Sequence, residues 1–590
     1  MSAKPIDLLL MHPPSVYDFR EKSILYGPVS DMVPSSVMFE LYPIGFLTMA
    51  GYLKERGKSV RIVNVALKML TDPKFDFERF LARIRPKTIG IDLHWMPHCH
   101  GAVELARLSK KVHPDVPVMF GGLSSTYFHD QLVRDYPEID FVLRGDSTEE
   151  PLHTLLETLD NGGDLHGVPN LTWSKDDEVR VNPLTFVPRK LDYVDVHPEV
   201  LVDMAVRYRD VTGVLPFNGW LGNPITMVLP LKGCAFECVT CGSSASTCKM
   251  MTNRRKVAFR SASNLVKNLK AISKLSKGAI VIPGDLLQGG KKYAKAVIDE
   301  IQASGVKNDI CFEFFDVPPL DFLKYIDDRV PNWSFEVSPE SHDREVRHTM
   351  EGGAGYENEE MEEVLREALK LNCRRIDVFY MIGLPLQTYE SVMETVDYCE
   401  SLYEWGDKRL QCFISPMGPF LDPGSAIFEE PEKFGFTKLA HTVEEHRQLL
   451  TQPSWEHILN YETKWMSRER LVDATYDAAE RLNEIKLKHG HIDARQARMV
   501  ADGLADARRL RAKLKDSLDG KLPEAEVERL RGEINRFSQN TVCDKSELFW
   551  KGGMLNFNLP QLAKVVAKAL FTRDSARPTV PEGEAAVETR

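Results

Sequence analysis

The sequence predicts an α/β protein: two successive parallel-sheet units and then a helical region. Three observations predict it. Over residues 1–190, apolar runs of strand length alternate with helical patterns, as strands buried on both faces require. Over residues 215–430, six more strand-like runs are separated mostly by helical patterns, the layout of a partial or full βα barrel. From 435 to 573 the apolar positions fall at helical spacing within charged segments, as amphipathic helices require. At 590 residues the chain is too long for one hydrophobic core, so several domains are expected.

In the first unit, IDLLLMHP opens a buried strand. PIGFLTMAGYLKERG (Pro43 to Gly57) has helical spacing and a glycine stop. There follow the strand VRIVNVA, a helix through FDFERFLARIR, the strand TIGIDLHW, a helix through GAVELARLSKKVH, the strand VPVMFGG, a helix through FHDQLVRDY and the strand FVLRGD. That order predicts a doubly wound parallel sheet, which binds ligands at the carboxyl ends of its strands. NGGDLHGVPNLTW and VNPLTFVPRKLDY read as an irregular link. The second unit takes its strands from ITMVLPLKG, AIVIPGD, ICFEFFD, WSFEVSPE, RIDVFYMIGLP and LQCFISPM. Three long amphipathic helices begin near Glu469, Asp493 and Pro523, and the Pro-, Glu- and Ala-rich tail 574–590 is expected to be disordered.

Composition narrows the function. With 43% hydrophobic and 27% charged residues, the chain reads as an ordinary soluble globular protein. No apolar run approaches the roughly 18–20 residues that would span a bilayer. Proline and histidine interrupt the N-terminal apolar run, which argues against a signal peptide. Net charge is −11 with no Lys/Arg block, so no nucleic-acid partner is indicated. Ten cysteines in so long a chain do not suggest a disulfide framework, so a tight cluster points to metal or catalysis.

That cluster is KGCAFECVTCGSS, with Cys234, Cys238 and Cys241 in one glycine-bounded loop. Structural zinc would need a fourth ligand, for which Cys248 is available. A redox pair Cys238–Cys241 fits its own spacing but leaves Cys234 unexplained. A [4Fe–4S] cluster held by three thiolates, with one iron open to substrate, uses all three. The spacing CxxxCxxC after a first barrel strand resembles the signature of the radical S-adenosylmethionine (radical SAM) superfamily. The resemblance implies that the open iron chelates S-adenosyl-L-methionine and that cleavage releases a 5′-deoxyadenosyl radical. Thr240 departs from the aromatic residue usual before the last cysteine. Other segments resemble family motifs in order. Pro283-Gly284-Asp285 resembles the turn that receives the methionine amino group. Ser338 to Ser341, including Glu340, resembles the strand end that touches the ribose. MIGLPLQT, with Gly383, Pro385 and Thr388, resembles the turn beside the adenine, with Gln387 where the family has Glu.

A doubly wound domain preceding this barrel resembles the cobalamin-binding class of radical SAM enzymes, over roughly residues 5–430. The resemblance implies an N-terminal Rossmann-like cobalamin-binding domain, a central partial (β/α)6 barrel and a C-terminal helical domain that caps it. It rests on HPP at the first strand, YPIGFLTMAGYLKERG, VRIVNV, FGG with Gly121 and Gly122, and VLRGDSTEEPL with Gly145 and Asp146. Paired glycines let backbone approach a bulky ligand. The Asp-x-His-x-x-Gly motif, whose histidine ligates cobalt, is absent from MHPPSVYDFRE, so cobalamin is expected to bind without it. The loop Asp92-Leu93-His94-Trp95 is expected under the corrin. There His94 ligates cobalt or fills the lower face, and His98 and His100 pack as ordinary polar groups.

The class implies hydrogen abstraction from an unactivated carbon and transfer of a methyl group from methylcobalamin, a C-methyltransferase. A non-methylating rearrangement or cyclisation is the first alternative, and a sensor with a structural iron–sulfur cluster the second. The cluster implies a cytoplasmic setting and a ferredoxin- or flavodoxin-like electron donor. The substrate is expected to be a lipid, a tetrapyrrole or a small metabolite rather than a ribosomal peptide. Trp455, Tyr461, Trp465 and Trp550 are candidate pocket aromatics better read as core, and PFLDPGSA is expected to form a rim loop.

Overall fold

The computed structural model describes residues 5–28, 35–176, 178–350, 352, 355–537, 542–550 and 556–571. The expected disordered tail, 574–590, lies outside them. The first sheet contains β1 (Leu8–His12), β2 (Val60–Asn64), β3 (Ile89–Asp92), β4 (Val118–Gly121), β5 (Phe141–Leu143), β6 (Leu171–Lys175) and β7 (Glu178–Val181), in the order β2-β1-β3-β4-β5-β6-β7. β1 to β5 are parallel, and the residues of β1, β2 and β3 are all buried, which is why they read as unbroken apolar runs. The predicted irregular link is corrected here. LTWSK and EVRV form β6 and β7, an antiparallel extension of the same sheet, and polar alternation in so short a hairpin hid it.

The second sheet runs β15-β14-β13-β12-β11-β8, all parallel. Its strands are β8 (Thr226–Met227), β11 (Ile280–Ile282), β12 (Ile310–Phe314), β13 (Trp333–Glu340), β14 (Ile376–Ile382) and β15 (Leu410–Pro416). This is a six-stranded partial barrel, with β8 and β15 as its edges. After β8 the chain makes a small antiparallel pair, β9 (Leu231–Lys232) and β10 (Ala258–Phe259), with the three-cysteine loop between them.

The helical region holds Arg468–Lys488, Ala494–Leu518 and Glu524–Arg536, as the periodicity predicts. It also holds an unforeseen antiparallel pair, β16 (Phe436–Lys438) and β17 (Tyr461–Thr463). Its relation to the barrel differs from the expected cap. Helix Arg468–Lys488 packs on helix Tyr389–Tyr403 and on β15, flanking that edge. The segment 542–550 then crosses the barrel end away from the mouth. Arg375 donates to the carbonyls of Glu547 (2.6 Å) and Phe549 (3.0 Å), and the Trp550 indole donates to Ser334 Oγ (3.0 Å). Lys486 and Glu547, both almost fully buried, pair at 2.7 Å. Burying two charges is tolerated only when each partners the other. The C-terminal region therefore plugs the bottom of the barrel and leaves the mouth facing the first sheet.

Candidate functional site

The carboxyl ends of both sheets face one cavity of about 1400 Å³. Its walls include Asp92, His94, Trp95, Gly121, Gly122, Gly145 and Asp146 from the first domain and Cys234, Cys238 and Cys241 from the barrel. Gly284, Ser338 and Glu340 also line it. Thirteen expected site residues thus converge. Asp285, Gly383 and Pro385 are not on that wall.

The cysteine loop is built to hold three sulfurs apart. The Phe236 amide donates to Cys234 Sγ (3.4 Å) and the Ser243 amide to Cys241 Sγ (3.3 Å). Gly352 lies so close to Cys238 that a Cβ there would sit 2.8 Å from its sulfur, so space is kept beside that thiol. Among the described residues no three His, Cys, Asp or Glu side chains converge on a single metal ion, and Cys248 donates to the Ser243 carbonyl at 3.3 Å. That argues against a mononuclear zinc site. Burial pushes the Cys238 thiol up to about 11, with Glu340 adding to it. Cys241 is raised by burial and then by Asp422, and Cys234 by burial. Burial thus disfavours the thiolate forms, which nearby positive charge would favour.

The barrel interior adds more uncompensated negative charge. Glu313 on β12 pairs in register with Glu336 on β13, and both line the cavity with Glu340. Burial raises all three, Glu340 to about 8, and Glu313 adds to the rise of the other two. Arg375 opposes this only at Glu336, and it is itself bidentate on Asp377 at 2.7 Å. Such a group of carboxylates suits a cationic ligand. Sequence reasoning chose Asp285 for this task, but its carboxylate accepts the Leu287 and Phe315 amides at 2.8 and 3.4 Å. Glu313, which accepts the Gly284 amide, faces the cavity in its place. Glu313 is the fourth residue of an otherwise apolar strand, ICFEF, and a lone acid on the inward face of a barrel strand was the signal available. The Gly383 turn is pinned by Gln387, which accepts from the Gly383 amide (2.7 Å) and donates to the Met381 carbonyl (2.9 Å). It packs toward Tyr461, so Tyr380 and Met381 reach the wall instead.

On the first domain, His12 of HPP is buried and bridges Asp92 Oδ1 (2.8 Å) and the Phe39 carbonyl (2.6 Å). His98 reaches the same carbonyl at 2.8 Å, and the Tyr17 amide donates to His100 at 3.3 Å. His100 therefore packs as an ordinary polar group. His98 Nδ1, however, is buried without a partner among the described residues, so His98 is not packed as a fully satisfied polar group. Asp92 Oδ2 is buried without a partner among the described residues. Burial lowers the His94 pKa, which keeps its imidazole neutral near pH 7, and its ring makes no hydrogen bond among the described residues. The His94 ring, the free Asp92 carboxylate oxygen and the exposed Trp95 form a polar floor. Gly122 has a reason beyond ligand approach. With φ +116°, its missing Cβ would fall 2.6 Å from the His94 backbone, so the turn after β4 supports the loop after β3.

Asp146, which lines the cavity as expected of a cofactor contact, also joins the domains. Arg254 grips its carboxylate through Nε and through Nη2 at 2.8 Å, and also donates to the Pro188 carbonyl at 2.9 Å. Lys232 donates to the Asp146 carbonyl at 2.6 Å. Burial pushes the Asp146 carboxyl up, but Arg254 and Lys232 outweigh it and hold it below the usual range. Neither cation was singled out in the sequence, since Asp146 lies 86 residues from Lys232 and 108 from Arg254. Of the candidate aromatics only Trp550 lines the cavity. Trp455 and Tyr461 are core and Trp465 packs by Gly435. The expected rim loop forms, with Asp422 accepting the Gly242 amide at 3.1 Å.

Comparison with known proteins agrees with this layout. Residues 32–153 match the B12 binding domain family. The chain is 26% identical over 202 residues to the uncharacterized methyltransferase PH0819 of Pyrococcus horikoshii, covering 34% of this chain and 40% of that protein. It is 24% identical over 208 residues to the anaerobic magnesium-protoporphyrin IX monomethyl ester cyclase of Synechocystis, covering 34% and 38%. The matched region thus spans about two fifths of these relatives' length. Among solved structures, the radical S-adenosylmethionine methyltransferase TsrM of Kitasatospora setae superposes with a TM-score of 0.53 at 15% identity, over 74% of this chain and 79% of that one. The cobalamin-dependent S-adenosylmethionine radical enzyme OxsB gives 0.51 at 12% identity, over 96% and 79%. The chain carries a B12 binding domain, and its fold is that of these two proteins.

Proposed function

From a B12 binding domain set against a barrel of this fold, we propose that the protein is a cobalamin-dependent radical SAM enzyme that transfers a methyl group to an unactivated carbon. One observation carries the proposal: a single cavity joins the three-cysteine loop, the carboxylate-lined barrel mouth and the loops of the B12 binding domain. Cys234, Cys238 and Cys241 would hold a [4Fe–4S] cluster. Glu313, Ser338 and Glu340 would receive the cationic end of S-adenosyl-L-methionine. Asp92, His94, Trp95 and Gly121 would floor the cobalamin. Together these groups supply hydrogen abstraction and a transferable methyl group.

The chain's own contribution is placement. The amides of Phe236 and Ser243 point at two sulfurs and temper their charge. Burial disfavours the carboxylate forms of Glu340 and Glu313 and a bound cation would favour them, so they suit a positively charged ligand. Arg254 and Lys232 fix the first domain against the cysteine loop, which sets the separation of the two cofactor platforms. The apolar remainder of the wall limits the polar groups that could quench a radical. Under this proposal the substrate is a small molecule of lipid or tetrapyrrole type, electrons come from a ferredoxin- or flavodoxin-like donor, and the setting is the cytoplasm. Among the described residues no helix is long and apolar enough to cross a membrane.

The relation to a cyclase favours one second reading, a cobalamin-dependent cyclisation without methyl transfer. Anaerobic reconstitution with iron, sulfide and cobalamin, then S-adenosyl-L-methionine and dithionite, separates the two. 5′-Deoxyadenosine and S-adenosylhomocysteine together, both lost in Cys234→Ala, are expected for methylation. 5′-Deoxyadenosine alone favours cyclisation, and neither product with any candidate substrate refutes both.

A further inference from the structure

The cavity is longer than the meeting place of the two cofactor platforms. An arm leaves the barrel mouth along β8 and ends between helices Glu199–Tyr208 and Leu559–Phe571, which pack on each other. Trp220, Leu221, Leu275, Trp550, Leu562 and Val566 line it. The polar groups that reach it are already bonded within the protein. The Trp220 indole donates to the Ile225 carbonyl (2.9 Å) and Trp550 to Ser334 (3.0 Å). The Tyr42 hydroxyl donates to the Val214 carbonyl (2.7 Å), and Ser276 Oγ accepts the Gly278 amide (3.1 Å). The indoles thus present only their apolar faces.

Two more observations say what fits. Val211 and Leu221 line the cavity yet are 52% and 49% exposed, so the arm meets solvent at an apolar rim. Helix Leu559–Phe571, its outer wall, has no fully buried residue and is held chiefly by its contact with helix Glu199–Tyr208, so parting that contact would widen the arm. Lys232 is the one Lys or Arg on the cavity wall among the described residues, and it is committed to Asp146 at the other end. A tetrapyrrole with carboxylate side chains would find no cation in the arm. A hydrocarbon chain needs none.

We propose that this arm binds the aliphatic chain of an elongated lipid-like substrate, entering between Val211 and Leu221 and presenting its carbon at the barrel mouth. The inference rests on reading the mouth as the place where substrate meets both cofactors. It narrows the substrate class to molecules with a flexible or isoprenoid hydrocarbon tail.

The test is binding to the cobalamin-loaded full chain, measured with the uncharged probe N-undecyl dansylamide and competition by octanol, dodecanol and hexadecanol. Affinity should rise with chain length, by up to roughly fourfold per methylene until the arm is full. Ala205→Trp and Leu562→Trp, which narrow the arm from its two wall helices, should each weaken the probe at least tenfold while circular dichroism and cobalamin content stay unchanged. Leu221→Asp, at the solvent rim, should weaken it without filling the arm and serves if the tryptophan variants misfold. Affinity independent of chain length, binding unaltered in all three variants, or displacement of the probe by cobalamin would overturn the inference. If the probe behaves as expected but no 5′-deoxyadenosine forms with any substrate, the arm stands and the proposed activity falls. If 5′-deoxyadenosine forms but the probe does not bind, only the arm assignment falls.

Discussion

Replacing Arg254 by Met removes the strut between the two halves of the site while keeping much of its volume. Arg254 is 3% exposed, and its guanidinium bonds Asp146 through two nitrogens and the Pro188 carbonyl. Its stem also lies over Gly233, where a Cβ would meet it at 2.6 Å. Removing one partner of a buried pair costs about 3–5 kcal/mol, because the other charge stays buried. Asp146 keeps the nearby charge of Lys232, so the low end applies, about 3 kcal/mol, or roughly 150-fold in a local opening equilibrium. Hydrogen exchange reads this directly in a multidomain chain where a single unfolding free energy is ill defined. Amides of the cysteine loop and of the turn after β5 should exchange about two orders of magnitude faster in the variant, while those of β12 to β14 should not change. Asp146→Asn should give a similar effect, and the double variant little more than either. Because the Asp146 carboxyl is held low, its stabilisation is full above the unfolded carboxylate pKa of about 3.9 and fades as pH falls through the folded value. Protection should therefore be flat from neutral pH down to that region. Unchanged exchange in Arg254→Met, or additive single effects, would refute the strut.

Glu340→Gln should weaken S-adenosyl-L-methionine binding about 10–100-fold, the worth of a charge-assisted contact, with cobalamin affinity unchanged; anaerobic calorimetry checks both, and equal affinities would remove Glu340 from the ligand site. Gly122→Ala should distort the loop carrying His94, since its φ of +116° and the 2.6 Å approach leave no room for a Cβ at a cost of about 1–3 kcal/mol. Cobalamin retained on gel filtration should drop sharply. Retention equal to the parent protein would show that the turn does not support the floor.

Fold and site were legible to different depths. The buried runs of β1 to β4 and the inward–outward alternation of β12 to β14 announce themselves, because burial on both faces or on one leaves a pattern in the residue order. β6 and β7 did not, since β7 is a largely exposed edge strand and β6 is buried only over its first three residues. The three cysteines could be read because one loop supplies them. The carboxylate that faces the cavity was harder to read: Asp285 sits in the turn after β11, where the Leu287 and Phe315 amides take it, and only the lone acid of the strand ICFEF marked Glu313. The Asp146–Arg254 strut and the plug at 542–550 are long-range contacts that local sequence does not encode. The plug also explains why a C-terminal domain expected over the mouth lies at the other end.

The central claim is that one cavity brings an iron–sulfur cluster and cobalamin face to face. Electron paramagnetic resonance of the anaerobically reconstituted, reduced protein tests it most directly. The account predicts a cluster signal that shifts when S-adenosyl-L-methionine is added and that shows dipolar coupling to cob(II)alamin in the same molecule. A cluster indifferent to S-adenosyl-L-methionine, or cluster and cobalt signals that sum without coupling, would contradict it.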